Sequence, residues 1–257
     1  MSSKFRDYTS PEGDAGLALR KEFSTLLYFV VNYQQNRQEC QIRLVNALTE
    51  FGSAMKQDDY ANQFLPPLMN TNGSVGFLAL KTSREIGEML RKRESQLFRC
   101  PPTSFELLDP IGSEKMLPGP ACIRSRNISK YAADSWETLG KALKTMANDV
   151  DGCLGVLMNR YTSCRELLGG GSWLEQLDQL FLDLSQREET FAQWLKAYSI
   201  NARKIALDVE QLVLQGEGNV DDDSGGGSLD AIGAGGGGGS GGPMMDPDAE
   251  SQDSHHR

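Results

Sequence analysis

Histidine is nearly absent from this sequence, since the only two are His255 and His256 at the end of a 257-residue chain. Sites that activate a serine or a cysteine generally need an imidazole as their general base. Neither histidine lies in the part of the chain that has a core-forming composition, and two adjacent imidazoles without further ligands make a weak metal site. We therefore expect no catalytic residues, no resident metal and no cofactor, so the chain is predicted not to be an enzyme.

Long apolar runs and closely spaced cysteine pairs are missing as well. The best apolar stretch, residues 26–31, is far too short to cross a bilayer, and the first residues have no apolar core of signal-peptide length. The five cysteines are odd in number and lack a CxxC pair, which fits neither a disulfide framework nor a zinc knuckle. Reduced thiols and a cytoplasmic location are the expectation.

A clear excess of one sign of charge occurs only at the C-terminal end of the chain. Residues 216–257 hold nine acidic side chains and one basic one, so they contribute −8 to the net charge of −9. The rest of the chain is therefore nearly neutral. A neutral region has no overall field that attracts nucleic acid, and we expect no nucleic-acid partner. The same residues are rich in glycine and poor in apolar side chains, which predicts a disordered acidic tail.

Apolar residues elsewhere recur at steps of three and four, which is the spacing of one helix face. The pattern predicts helices over residues 11–57, 74–98, 129–168 and 172–215, after a flexible N-terminus at residues 1–10. Ser10 and Pro11 are the expected start of the first helix. Pro66, Pro67 and an Asn72-Gly73 turn signal are expected to end it, and further prolines predict a long loop over residues 99–128, pinned across the helices.

The last two predicted helices carry heptads, and a triple glycine at residues 169–171 separates them. The heptad spacing predicts two long rods that lie side by side in opposite directions. The expected fold is an all-α, elongated antiparallel helical bundle or coiled coil with a disordered C-terminal tail. The seam residues expected to mediate interaction are Leu139, Leu143, Met146, Val150, Leu157, Leu177, Phe181, Leu184, Phe191, Leu195, Ile205, Val209 and Leu212.

Two polar features interrupt these apolar stripes. Residues 32–41, NYQQNRQECQ, place amides at turns where a simple core would have leucine. Glu188 occupies a seam position in the fourth helix. Buried polar residues at such positions often set the register of paired helices, and Glu188 either does this or meets a basic partner.

A basic cluster near the end of the second predicted helix is the best candidate for a ligand-binding surface. Arg91, Lys92 and Arg93 are consecutive, and they form either a patch for anionic lipid or another acidic ligand, or an ordinary hydrated face. Residues 190–213 and 21–52 resemble in texture the final and first helices of BAR-type domains. That resemblance implies a dimer that binds anionic, curved membranes, as membrane-trafficking proteins do.

Two functions follow as hypotheses from these patterns. The first is a non-enzymatic helical scaffold or adaptor, forming a homodimer or a coiled-coil hetero-complex through the heptad seams, because long apolar stripes are stable only when they are buried. The second is the BAR-like peripheral membrane protein that the resemblance implies, with Arg91, Lys92 and Arg93 against the lipid.

Overall fold

The computed structural model describes residues 13–98, 105–110 and 128–218. It contains four long helices, α1 (Asp14–Ala54), α2 (Asp59–Phe98), α3 (Lys130–Cys164) and α4 (Ser172–Gly218), with a 3₁₀ turn, Arg165–Leu168, between the last two. The part of the chain described has no β-strand, and the predicted all-α bundle is confirmed. The predictions for residues 1–10, the Ser10-Pro11 start, most of the loop and the tail beyond Gly218 lie outside the described residues.

Contacts between distant residues fix the helix directions. Phe23 of α1 packs on Phe98 at the end of α2 and on Trp173 at the start of α4, with ring centroids 6.2 and 6.3 Å apart. At the other end of α1, Phe51 packs on Trp136 near the start of α3. The helices α1 and α4 therefore run in one direction, and α2 and α3 run in the other.

The four helices form a square in cross-section. Both α1 and α4 pack on α2 and on α3, so α1 and α4 stand at opposite corners. With 41 residues, α1 is about 62 Å long at 1.5 Å per residue. Because α2 and α3 are parallel, the end of α2 and the start of α3 lie at opposite ends of the bundle.

One predicted boundary is wrong. The second helix begins at Asp59, and not at residue 74. Pro66, Pro67, Asn72 and Gly73 lie inside α2. The connection that was expected to extend to residue 73 is a tight turn of four residues, 55–58, and the carboxylate of Asp58 accepts the N–H of Ala61 at 3.0 Å in the first turn of α2.

Tertiary packing explains why the helix continues through these residues. Each proline removes one backbone hydrogen bond, which is costly inside a helix. The helical conformation, however, buries Leu65 and Leu68 in the core, and it points the fully buried Asn72 at α1, where its amide donates to the carbonyl of Gln41 at 3.0 Å. These contacts outweigh the local turn preference. The turn signal in the sequence could not show this, because the contacts depend on a neighbouring helix.

The buried side chains form two apolar clusters stacked along the bundle axis. One cluster joins the second half of α1, the first half of α2, the first half of α3 and the second half of α4. The other joins the remaining halves and includes Leu107 of the connection. Leu107 lies against Gly87, where a β-carbon would collide with it, so residues 105–110 pack on α2.

A close crossing holds α3 against α4. The hydroxyl of Ser199 donates to the carbonyl of Gly140 at 2.6 Å. A β-carbon at Gly140 would lie 3.1 Å from the carbonyl oxygen of Ser199 and 2.4 Å from Cγ of Arg203. At the far end, Gly169 and Gly171 adopt φ values of 104° and 83°, which only glycine takes readily. The triple glycine therefore closes the predicted hairpin.

The crossing predicts opposite results for the same substitution at two glycines of α3. Gly152→Ala should stabilise the fold by about 0.5–1 kcal/mol, because the position is open and alanine favours the helix. Gly140→Ala should be less stable than Gly152→Ala by about 1–3 kcal/mol, because the added methyl group overpacks the crossing. Urea unfolding followed by circular dichroism measures both, and equal stabilities would contradict the close contact.

Candidate functional site

The predicted interaction seam lies inside the chain. Twelve of its thirteen residues are buried in the two core clusters, and Leu212, at 48% exposure, is the exception. They pack between helices of the same chain. A partner therefore has no access to this seam unless the bundle opens, and the surfaces available for association are elsewhere.

The basic trio is not one patch. Consecutive residues on an α-helix point about 100° apart, and only Lys92 is exposed while Arg91 and Arg93 are partly buried. The guanidinium of Arg93 lies over the ring of Trp173, 5.3 Å from its centroid, a cation–π contact that helps to join α2 to α4. The three side chains therefore do not present one continuous basic surface to solvent.

Glu188 meets a basic partner across the diagonal of the bundle. Nε of Arg37 donates to its carboxylate at 2.6 Å, and both side chains are fully buried. The hydroxyl of Tyr33 donates to the same oxygen at 2.6 Å. The guanidinium also lies 5.1 Å from the centroid of the Phe191 ring. Burial, followed by the negative charge of Glu188, raises the pKa of Tyr33 well above its ordinary value, so the phenol stays protonated.

Further amides extend this polar layer to α2 and to the connection. The side chain of Gln34 is fully buried, donates to the hydroxyl of Ser83 at 3.1 Å and accepts the backbone N–H of Leu108 at 3.1 Å. Gln41 lies against Gly76, where a β-carbon would collide with its amide. The amide-rich stretch that interrupts the first apolar stripe therefore faces polar partners on α2, α4 and residues 105–110.

An open groove of about 790 Å³ lies between the first half of α3 and the second half of α4. Its lining includes the buried residues Ala133, Ser199 and Ala206. Ile200 and Leu207 also line it, and they are 69% and 58% exposed. The groove thus presents apolar surface to solvent beside the close α3–α4 crossing.

The charges of the groove are predominantly basic. Its lining contains five basic and three acidic side chains. Lys196 and Arg203 form ion pairs within the chain, with Asp151 and Glu137. No ion pair involving the other three basic residues is formed among the described parts of the chain; these residues are Lys130, Lys144 and Lys204. An apolar segment that carries carboxylates is the chemistry that complements this surface.

This surface was not predicted from the sequence, although a signal for it was present. Ile200, Leu207 and Leu214 are seven residues apart and are all exposed on α4. They form a second heptad stripe on the face of the helix opposite the buried seam. It was overlooked because the buried seam of the same helix contains more apolar residues and repeats with the same seven-residue period. The two stripes differ only in the helix face on which they lie.

The three cysteines in the described ranges are shielded from solvent. Cys40 and Cys164 are buried, Cys153 is partly buried, and burial raises the pKa of Cys153 to about 12 and that of Cys164 to about 11. No group of three His, Cys, Asp or Glu side chains suited to a metal ion occurs in the described ranges. None of the helices described has the length and apolar character needed to cross a membrane.

Comparisons with known proteins give no match: no protein-family model, no curated protein and no solved structure shows significant similarity to the chain.

The buried ion pair predicts strong coupling between two substitutions. Arg37→Met or Glu188→Leu alone should cost about 3–5 kcal/mol, because each leaves one buried charge without its partner. The double variant should be more stable than either single variant, because no charge then remains in the core. Urea unfolding of the four proteins measures the coupling free energy.

The exposed pair Lys196–Asp151, 2.5 Å apart, is the matched control for this cycle. Neutralising either partner there should change the free energy of unfolding by about 1 kcal/mol or less, because solvent screens an exposed pair. Additive costs for Arg37→Met and Glu188→Leu would contradict the buried pair.

The raised thiol pKa values predict low reactivity in the folded protein. At pH 8 Cys153 and Cys164 are protonated, and a thiol reacts far more slowly than a thiolate. Iodoacetamide should label both slowly in buffer and rapidly in urea, with each site followed by peptide mass spectrometry. Gln186→Cys, an exposed position on α4, should label rapidly in both, and equal native rates at all three sites would refute the burial argument.

Proposed function

We propose that this chain is a non-enzymatic, cytoplasmic helical scaffold or adaptor that binds protein partners on the outer face of α3 and α4. The observation that supports this most directly is the exposed apolar stripe of Ile200, Leu207 and Leu214 beside the α3–α4 groove. Isolated exposed leucines are ordinary, but a row at helical spacing beside a groove is typical of a surface that receives another helix.

The interior of the bundle suits such a role. The seam residues are used within the chain, and the polar layer around Arg37 and Glu188 ties α1 to α4. A rod about 60 Å long with a fixed interior presents its outer surface in constant geometry. Association on that surface requires no opening of the core, which differs from the expectation that partners use the buried seams.

The proposal predicts that two outward substitutions remove partner binding without unfolding the protein. Ile200→Glu/Leu207→Glu should lower the recovery of cross-linked cellular partners by about tenfold or more, because each position loses apolar contact area. Quantitative mass spectrometry measures recovery, light scattering follows self-association, and circular dichroism should stay unchanged because both positions are exposed.

Val156→Glu/Leu182→Glu is the matched control, since these residues are 50% and 47% exposed and do not line the groove. This variant should retain the partners. A partner counts only if the purified protein binds the wild-type chain directly and the groove variant does not. Equal recovery by the two variants would refute the proposed surface.

The membrane-binding alternative gives a different result in one experiment. It depends on Arg91, Lys92 and Arg93 acting together, and Arg93 is engaged with Trp173. The scaffold proposal predicts no cosedimentation with anionic vesicles at physiological salt. Sedimentation that is lost when all three residues are changed to alanine would favour the membrane function instead.

A further inference from the structure

The groove between α3 and α4 also complements a segment of this chain. Among the charged side chains that line the groove, five are basic and three are acidic, and they surround an apolar surface. Residues 216–257 carry nine acidic side chains and one basic one, whereas the helical part is nearly neutral. The most acidic part of the chain thus follows directly after α4, the helix that forms one wall of the groove.

We propose that residues 243–253, PMMDPDAESQD, dock in the α3–α4 groove of the same chain. Two adjacent methionines in this segment precede Asp246, Asp248 and Glu250. Methionine side chains adapt to irregular apolar surfaces, and they match the exposed apolar wall of the groove. The carboxylates that follow match the lysines that form no ion pair among the described residues, Lys144 and Lys204 above all.

The chain between the end of α4 and this segment is long enough. Residue 203, near the middle of the groove, precedes Gly218 by 15 residues of helix, a distance of about 22 Å. From Gly218 to Met244 there are 26 residues, with a maximum reach of about 85 Å. A tether with the predicted glycine-rich behaviour has a root-mean-square length of about 28 Å, close to the required distance.

Docking within one chain compensates for weak individual contacts. A tethered segment experiences an effective concentration in the millimolar range, so a modest intrinsic affinity keeps the groove occupied. If the proposed function is correct, the segment competes with protein partners for the groove. This competition alone rests on the proposed function; the docking itself does not.

Zero-length carbodiimide cross-linking of the full chain tests the contact directly. We expect amide links from Lys144 or Lys204 to Asp246, Asp248 or Glu250, identified by mass spectrometry. A mixture of ¹⁴N and ¹⁵N protein distinguishes links within a chain from links between copies. Lys21 and Lys92 are exposed and lie toward the other end of the bundle, so they are the internal controls. Links spread evenly over these lysines would overturn the proposal.

A competition experiment tests occupancy without relying on cross-linkable groups. A fluorescent peptide of residues 243–253 should bind the full chain weakly, because the groove is already occupied. Neutralising the attached segment with Asp246→Asn/Asp248→Asn/Glu250→Gln should strengthen peptide binding by about tenfold. The matched control, Asp221→Asn/Asp222→Asn/Asp223→Asn, makes the same change in charge elsewhere and should leave peptide binding unchanged.

Lys204→Glu in the neutralised chain should then abolish peptide binding, measured by fluorescence anisotropy. Equal peptide affinity for the wild-type and neutralised chains, or no binding to either, would overturn the proposal. If that happens while Ile200→Glu/Leu207→Glu still loses protein partners, docking of the segment is wrong and the proposed function stands. If the segment docks but Ile200→Glu/Leu207→Glu keeps its protein partners, only the proposed function is wrong.

Discussion

The ion pair between Arg37 and Glu188 is the constraint around which the bundle is arranged. It joins helices at opposite corners of the square, and both side chains are fully buried. Removing two charges from water costs several kcal/mol each, and only good geometry offsets that cost. Here the geometry is a 2.6 Å contact, with a phenol from Tyr33 on the same carboxylate and the ring of Phe191 beside the guanidinium. A helix that slips by one turn leaves a charge unpaired, so the pair favours a single register.

The two apolar clusters follow from this arrangement. They lie on either side of the polar layer, and each takes one half of every helix. A shift of α1 against α4 would separate Arg37 from Glu188, which lie between the two clusters. The contact near the middle of the bundle therefore sets the register of α1 against α4. The triple-glycine hairpin and the close crossing at Gly140 fix α3 on α4.

A closed interior leaves only the outer surfaces of the bundle open to association. The seam residues are buried within the chain, whereas the outer stripe of α4, with the groove beside it, presents apolar side chains to solvent at helical spacing. Both proposals concern this one surface. A protein partner and the acidic segment that follows α4 have the same requirements there, apolar side chains accompanied by carboxylates.

Several features were determined by the sequence alone, because they depend on local geometry and spacing. Heptads from Leu139 to Val209 predicted the α3–α4 rods, and three glycines predicted the hairpin between them, since helical periodicity and positive φ are properties of the chain itself. Glu188 stood out as a charge in an apolar seam, although two explanations remained open.

Only the tertiary structure decided which residues meet. Arg37 became the partner of Glu188 because the fold brings two residues that are 151 positions apart in the chain to the same diagonal. Asn72 and the prolines before it became helical because α1 offers buried contacts that exceed a local turn preference. The seam residues are buried within one chain, and the outer stripe of α4 is exposed. Periodicity alone could not tell the two apart, because burial depends on which helices are neighbours.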